Sequence, residues 1–168
     1  MIDKDMEILI CRKAIDTFGE AIQKLKAIEE ISELNQALML GLQGKQNNIE
    51  EEIADVEIML MQLRLMYGSG TIEKELETVY DLVPPRVIEQ CVNLFNVLVQ
   101  HMCKELISEF RLDVRKIAYC ISSIEVLKNK FNKKEIEEIK QEKLKRLEQI
   151  VYASSGNAKE VSEWNMQH

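Results

Sequence analysis

Only 6 glycines and 2 prolines occur in 168 residues, and the prolines are adjacent (Pro84, Pro85). An all-β fold must turn its chain about every 8–12 residues, and so few turn formers cannot supply those turns. Glu, Lys, Leu, Met, Gln and Ile instead fill long uninterrupted stretches, all of them good or tolerable helix formers. The expected fold is all-α. The length suffices for one domain with a genuine core, or for two small helical units sharing one.

Charge and cysteine usage narrow the function. The net charge is −7, from 22 Lys+Arg against 29 Asp+Glu. A protein that grips polyanions carries the opposite sign, so no nucleic-acid polymer is expected as a partner. A small anionic substrate would need a metal to screen the repulsion. Cys11, Cys91, Cys103 and Cys120 show no C-x-x-C spacing, and the histidines are only His101 and His168. A Cys/His zinc site therefore has too few ligands. The thiols are expected to be reduced and buried, as in a cytoplasmic protein. The opening MIDKDMEILI has no basic stretch before a long apolar run, so no secretory leader is expected. No run of about 18 apolar residues occurs, so no membrane partner is expected either.

Apolar periodicity divides the chain into helices. The first covers about 5–17, with Ile8, Leu9, Ala14 and Ile15 as its apolar positions, and breaks near Gly19. The second runs from Glu20 to Leu42, with Ile22, Leu25, Ile28, Leu34 and Leu38 at helical spacing, and stops at the Gly41–Gly44 segment. Asn48 suits an N-cap for a third helix reaching Gly68, with Glu50 and Glu51 in its first turn. A short helix follows over about 71–81, and the proline pair marks a boundary. Further helices are expected over about 85–110, 112–130 and 134–151, the last facing inward through Ile136, Ile139, Leu144, Leu147 and Val151. The segment 153–168 is a polar tail expected to fray, its Trp164 either docking or idle.

Two acidic strings carry the chemistry: Glu29-Glu30-Ile31-Ser32-Glu33 and Glu52-Ile53-Ala54-Asp55. Glu30 and Glu33 are i,i+3 neighbours on one helical face, and so are Glu52 and Asp55. The short connection between the two helices makes them an antiparallel hairpin, so the pairs can converge on one point. Like charges at this spacing cost roughly 0.2–0.5 kcal/mol per pair, and more when partly buried. Both strings adjoin apolar residues, which places them at the core edge. A divalent cation would remove the penalty, and oxygen ligands without histidine suit Mg²⁺ or Mn²⁺. The alternative is a solvated acidic face.

EEISE followed after 18 residues by EIAD resembles the EExxE…ExxD signature of the MazG-like all-α NTP pyrophosphohydrolases, relatives of the dimeric dUTPases. The surrounding QKLKAIEEISEL, NNIEEEIADVEIMLMQL and IEEIKQEKLKRLEQI are similar to phage-type members. The resemblance covers residues 13–67 and, more loosely, 132–150. It implies a MazG-like helical bundle that cleaves nucleoside triphosphates to a monophosphate and pyrophosphate. It also implies Mg²⁺ held by Glu30, Glu33, Glu52 and Asp55, with Glu29 supporting them or orienting water. Gln23 lies seven residues before Glu30 and Gln62 seven after Asp55, so both stay on the metal-facing side. Each would read a base or sugar, or else be a surface or satisfied core glutamine. Lys26, one turn before Glu30, would touch a phosphate or simply be solvated.

The middle of the chain reads as a damaged second copy. ELISEF at 105–110 mirrors EEISEL at an offset of 76, and KIAY at 116–119 mirrors EIAD at an offset of 64. In that copy Leu106, Lys116 and Tyr119 stand where Glu30, Glu52 and Asp55 would be, and only Glu109 survives. The implied organisation is a catalytic repeat (1–82), a degenerate repeat (83–152) and the tail, forming a fused pseudo-dimer for which a second copy of the chain is a candidate partner in a homodimer. An unrelated helical insertion is the plainer alternative.

Two other function classes compete with the hydrolase. One is a non-catalytic helical interaction module with a vestigial metal site. The other is a di-iron carboxylate bundle, which needs Glu-x-x-His pairs. His101 has Leu98 in the required place, which disfavours it.

Overall fold

Seven helices account for nearly all of the described chain, and no strand occurs in it. The computed structural model describes residues 1–79 and 88–166, with side chains to Ser154. The expected boundary at Pro84–Pro85 and the side chain of Trp164 lie outside the described part.

Local chemistry sets the helix ends. In α1 (Lys4–Phe18), the Asp3 carboxylate accepts from the Met6 amide at 2.9 Å, satisfying one of the free donors of the first turn. Gly19, at φ +86°, turns the chain into α2 (Glu20–Leu42). Gly44 ends the following turn at φ +66°, a conformation glycine adopts without Cβ strain. Then come α3 (Ile49–Tyr67) and α4 (Ser69–Val79). Next is α5 (Ile88–Ile107), which stops three residues short of the expected end. There the Ser108 hydroxyl donates to the Lys104 carbonyl and accepts from the Phe110 amide, a local bonding pattern that competes with the helix. After α6 (Arg115–Lys128), α7 (Lys133–Met166) runs well beyond the expected end near 151. The tail expectation is corrected accordingly: the segment past Val151 has no proline, and its one glycine, Gly156, costs a helix only about 1 kcal/mol.

Helices α2, α3, α6 and α5 form a ring in which each packs on two others. Lys24 meets Glu105 and Asn35 meets Asn96, so α2 and α5 run antiparallel. The core is built of Leu34, Leu38, Ile53, Leu63, Phe95, Leu98, Met102, Ile117 and Ile124, all essentially excluded from solvent. It draws on both sides of the undescribed segment. Outside the ring, α4 covers α6, and α1 and α7 pack together on α3 around Ile10, Cys11, Ile58 and Leu144. No helix among the described residues is long and apolar enough to cross a membrane.

The inward faces of the first two helices differ from those expected. On α1 the buried residues are Glu7, Ile10, Cys11 and Ala14, while Leu9 is exposed and Ile8 and Ile15 are half-buried. On α2, Leu34 and Leu38 are buried and Ile28 half-buried, but Ile22 and Leu25 remain more than half exposed. Ala27 and Ala37 take inward positions there, since small side chains let neighbouring helices approach closely. The α7 face is as expected, with Ile136, Leu144 and Val151 buried and Ile139 and Leu147 half-buried.

Buried ion pairs fix how α1, α6 and α7 lie on α3. Lys128 reaches Glu57 at 2.6 Å and Lys140 reaches Glu7 at 2.8 Å, with all four side chains at most 11% exposed. Such pairs add little net stability, but one partner alone would be an uncompensated buried charge. Lys140 on α7 therefore has a defined place, and Lys143 lies one turn further along the same helix.

Candidate functional site

The turn between α2 and α3 brings Glu30 and Glu33 of one helix beside Glu52 of the other. One carboxylate oxygen from each lies within 4.8 Å of the other two. Glu30 and Glu52 are buried, at 7% and 8% exposure, and Glu33 sits at the exposed rim. This convergence of i,i+3 pairs matches the hairpin expectation for three of the four carboxylates.

Asn48 departs from its expected role. It occupies the N-cap position of α3 but makes no side-chain bond to the backbone there. Its amide instead donates to Glu52 Oε1 at 2.5 Å, which orients that carboxylate toward the cluster. The other oxygen, Oε2, is fully buried and has no hydrogen-bond partner. Leaving such an acceptor unsatisfied costs roughly 1–3 kcal/mol.

Asp55 stands outside the group of three and is bonded to α7. Lys143 Nζ lies 2.6 Å from Asp55 Oδ2 and 3.1 Å from Glu51 Oε1. On the α2 side, Lys26 Nζ lies 2.6 Å from Glu30 Oε1 and 3.1 Å from Glu29 Oε2. Glu29 is exposed, engaged with Lys26, and not part of the triad. Gln23 and Gln62 are both buried, and Gln62 Oε1 has no hydrogen-bond partner. In the antiparallel register these two lie level with each other, about two turns along from the acids.

The electrostatics reflect crowding of like charge away from water. Burial first, then Glu33 and Asp55, pushes the Glu52 pKa up to about 7, with Asn48 opposing. Glu33 is raised by burial and then by Glu30. Burial likewise raises Asp55, against the pull of Lys143. Burial works to lower Lys26 and Lys143, but their carboxylate partners outweigh it and both are raised.

A pH prediction follows from Glu52. A carboxyl whose folded pKa is raised binds its proton more tightly in the native state, so its stabilising effect is complete below the unfolded value and is lost as pH rises through about 7. The metal-free protein should lose stability from this group between about pH 4.5 and 7. Glu52→Gln should remove that loss, worth about 1–2 kcal/mol once solvent screening is allowed for. Chemical denaturation of both proteins across this range measures it; parallel curves would show that Glu52 is not electrostatically crowded.

Asn48, Glu51 and Lys143 were missed as site residues. Asn48 had a signal, since it precedes Glu52 by one helical turn, but its cap propensity masked it. Lys143 had none, because 88 residues separate it from Asp55. The chain matches no protein-family model, no curated protein and no solved structure.

Proposed function

We propose that this chain is a Mg²⁺-dependent, MazG-like nucleoside triphosphate pyrophosphohydrolase that releases a nucleoside monophosphate and pyrophosphate. The observation that carries this reading is the convergent carboxylate triad, two of its members buried, with its unpartnered Glu52 oxygen. A cluster of crowded carboxylates at the edge of the core is destabilising when empty, and it has the chemistry of a hard-cation site. Mg²⁺, or Mn²⁺ in its place, fits the all-oxygen donor set.

Glu30, Glu33 and Glu52 would hold the ion, with Asp55 as the fourth ligand. The bound ion would neutralise phosphate charge and activate water for attack at phosphorus. That accounts for a triphosphate as substrate of a protein with net charge −7. Glu29, at the rim, would orient the attacking water. Lys26 is within reach of the same rim and would contact phosphate once freed from Glu30. Gln23 and Gln62, deeper between α2 and α3, would face the base or sugar. The hairpins α2–α3 and α5–α6 would then be the live and lost halves of a pseudo-dimer, in a cytoplasmic protein.

One observation favours a second reading. Phe18 at the end of α1 and Ile22 and Leu25 at the start of α2 make an exposed apolar row, a surface on which two copies of the chain would meet. A helical interaction module that keeps the acids without turnover would use the same row. A panel of common and modified (d)NTPs with Mg²⁺, monitored for pyrophosphate and orthophosphate, separates the two. Pyrophosphate release supports the hydrolase, and no release from any triphosphate supports the module.

A further inference from the structure

We infer that Lys143 is a resident counterion of Asp55 that a divalent cation must displace to complete its ligand set. The inference rests on the metal-centre reading above and adds to it a residue on a distant helix.

Three carboxylates already converge, and the fourth, Asp55, is bonded to a lysine of another helix. Asp55 is i,i+3 from Glu52 and so lies beside the triad, yet its Oδ2 is bonded to the Lys143 ammonium at 2.6 Å. Glu51, at 3.1 Å, holds the same ammonium from the exposed side. The two side chains in the tighter bond are each about one-fifth exposed, so water screens the contact only in part. Lys143 is also held in place from behind. Leu144 is fully buried, and Lys140 one turn earlier is paired with Glu7, so the backbone of α7 cannot drift to release it. Lys26 does the same to Glu30 from within α2, but its side chain is nearly half exposed and can leave into solvent at little cost.

An ammonium and a small divalent cation compete for the same carboxylate. Mg²⁺ and Mn²⁺ need short, well-directed oxygen contacts, and an oxygen engaged by an ammonium is a poorer ligand. Entry of the ion therefore breaks the Lys143–Asp55 bond. The metal affinity of this protein is set partly by α7, and not by the two acidic strings alone.

The test uses the full chain and Mn²⁺, titrated by its electron paramagnetic resonance signal. Lys143→Met should bind Mn²⁺ about tenfold more tightly than the unaltered protein, the scale expected when one charge-assisted hydrogen bond no longer has to be broken. Lys143→Arg, which keeps the charge, should stay within about twofold. So should Lys145→Met, which removes an exposed charge two residues away. Unchanged or weaker binding by Lys143→Met overturns the inference while leaving the metal centre standing. Absence of Mn²⁺ binding by every variant overturns the metal centre itself. A second readout needs no variant. Acetylation of lysines in the unaltered protein, located by mass spectrometry, should rise at Lys143 with saturating Mg²⁺ and not at Lys140. If labelling of Lys143 does not rise, the ion does not displace it.

Discussion

Asp55→Asn is expected to lower pyrophosphate release by at least about two orders of magnitude, with the far-ultraviolet helical signal unchanged. The amide keeps the shape of the side chain but loses the charge that both a cation and Lys143 require. Glu52→Gln should do the same, since its Oε2 is the buried acceptor without a partner. Glu109→Gln is the contrasting variant. Glu109 lies beyond the end of α5 and is exposed, so turnover should stay within about twofold. Steady-state assays that distinguish pyrophosphate from orthophosphate decide the matter. If orthophosphate is the only product, the reaction is not the one proposed, even if Asp55 proves essential.

The second large effect concerns the fragment 1–67, which comprises α1, α2 and α3. It should not behave as a stable monomer. In the full chain α2 packs on α5, and α3 packs on α6 and α7. Leu34, Leu38, Val56, Met59 and Leu63 are buried there. Even a few hundred Å² of re-exposed apolar surface, at about 25 cal/mol per Å², amounts to several kcal/mol. That is comparable with the whole stability of a small domain. The fragment should unfold, aggregate or self-associate. Circular dichroism with light scattering would show it, and a well-folded monomer would mean that α5–α7 are an appendage to an independent unit. Leu25 plays no part in this balance, because it is exposed in the full chain already.

The all-α class and the pairing of the two acidic strings were legible from short-range signals. Scarce glycine and proline exclude a turn-rich β fold and leave long stretches of helix formers unbroken, which the all-α chain reflects. The i,i+3 spacing of Glu30–Glu33 and Glu52–Asp55, with a short connection between their helices, was enough to predict that carboxylates from both strings would converge. The helix stop at Gly41–Gly44 is legible as well. None of this requires knowing what lies on the far side of a helix.

Tertiary structure decided what local spacing leaves open. Apolar residues on α2 cover more than one face, and only the placement of α3 and α5 selects Ala27, Ile31 and Ala37 over Ile22 and Leu25. On α1, pairing of Glu7 with Lys140 turns inward a face that holds a carboxylate, which no hydrophobic period would choose. Asn48 has the propensity of a cap, but in the fold its amide bonds the Glu52 carboxylate instead. Lys143 shows the limit most clearly: a lysine in a charged amphipathic helix is unremarkable in sequence, and it acquires a role only because α7 lies along α3. Charge interactions act through space at a few ångströms, whereas sequence periodicity reports only neighbours along one helix. The acids were therefore legible in the sequence, and the cation that holds one of them was not.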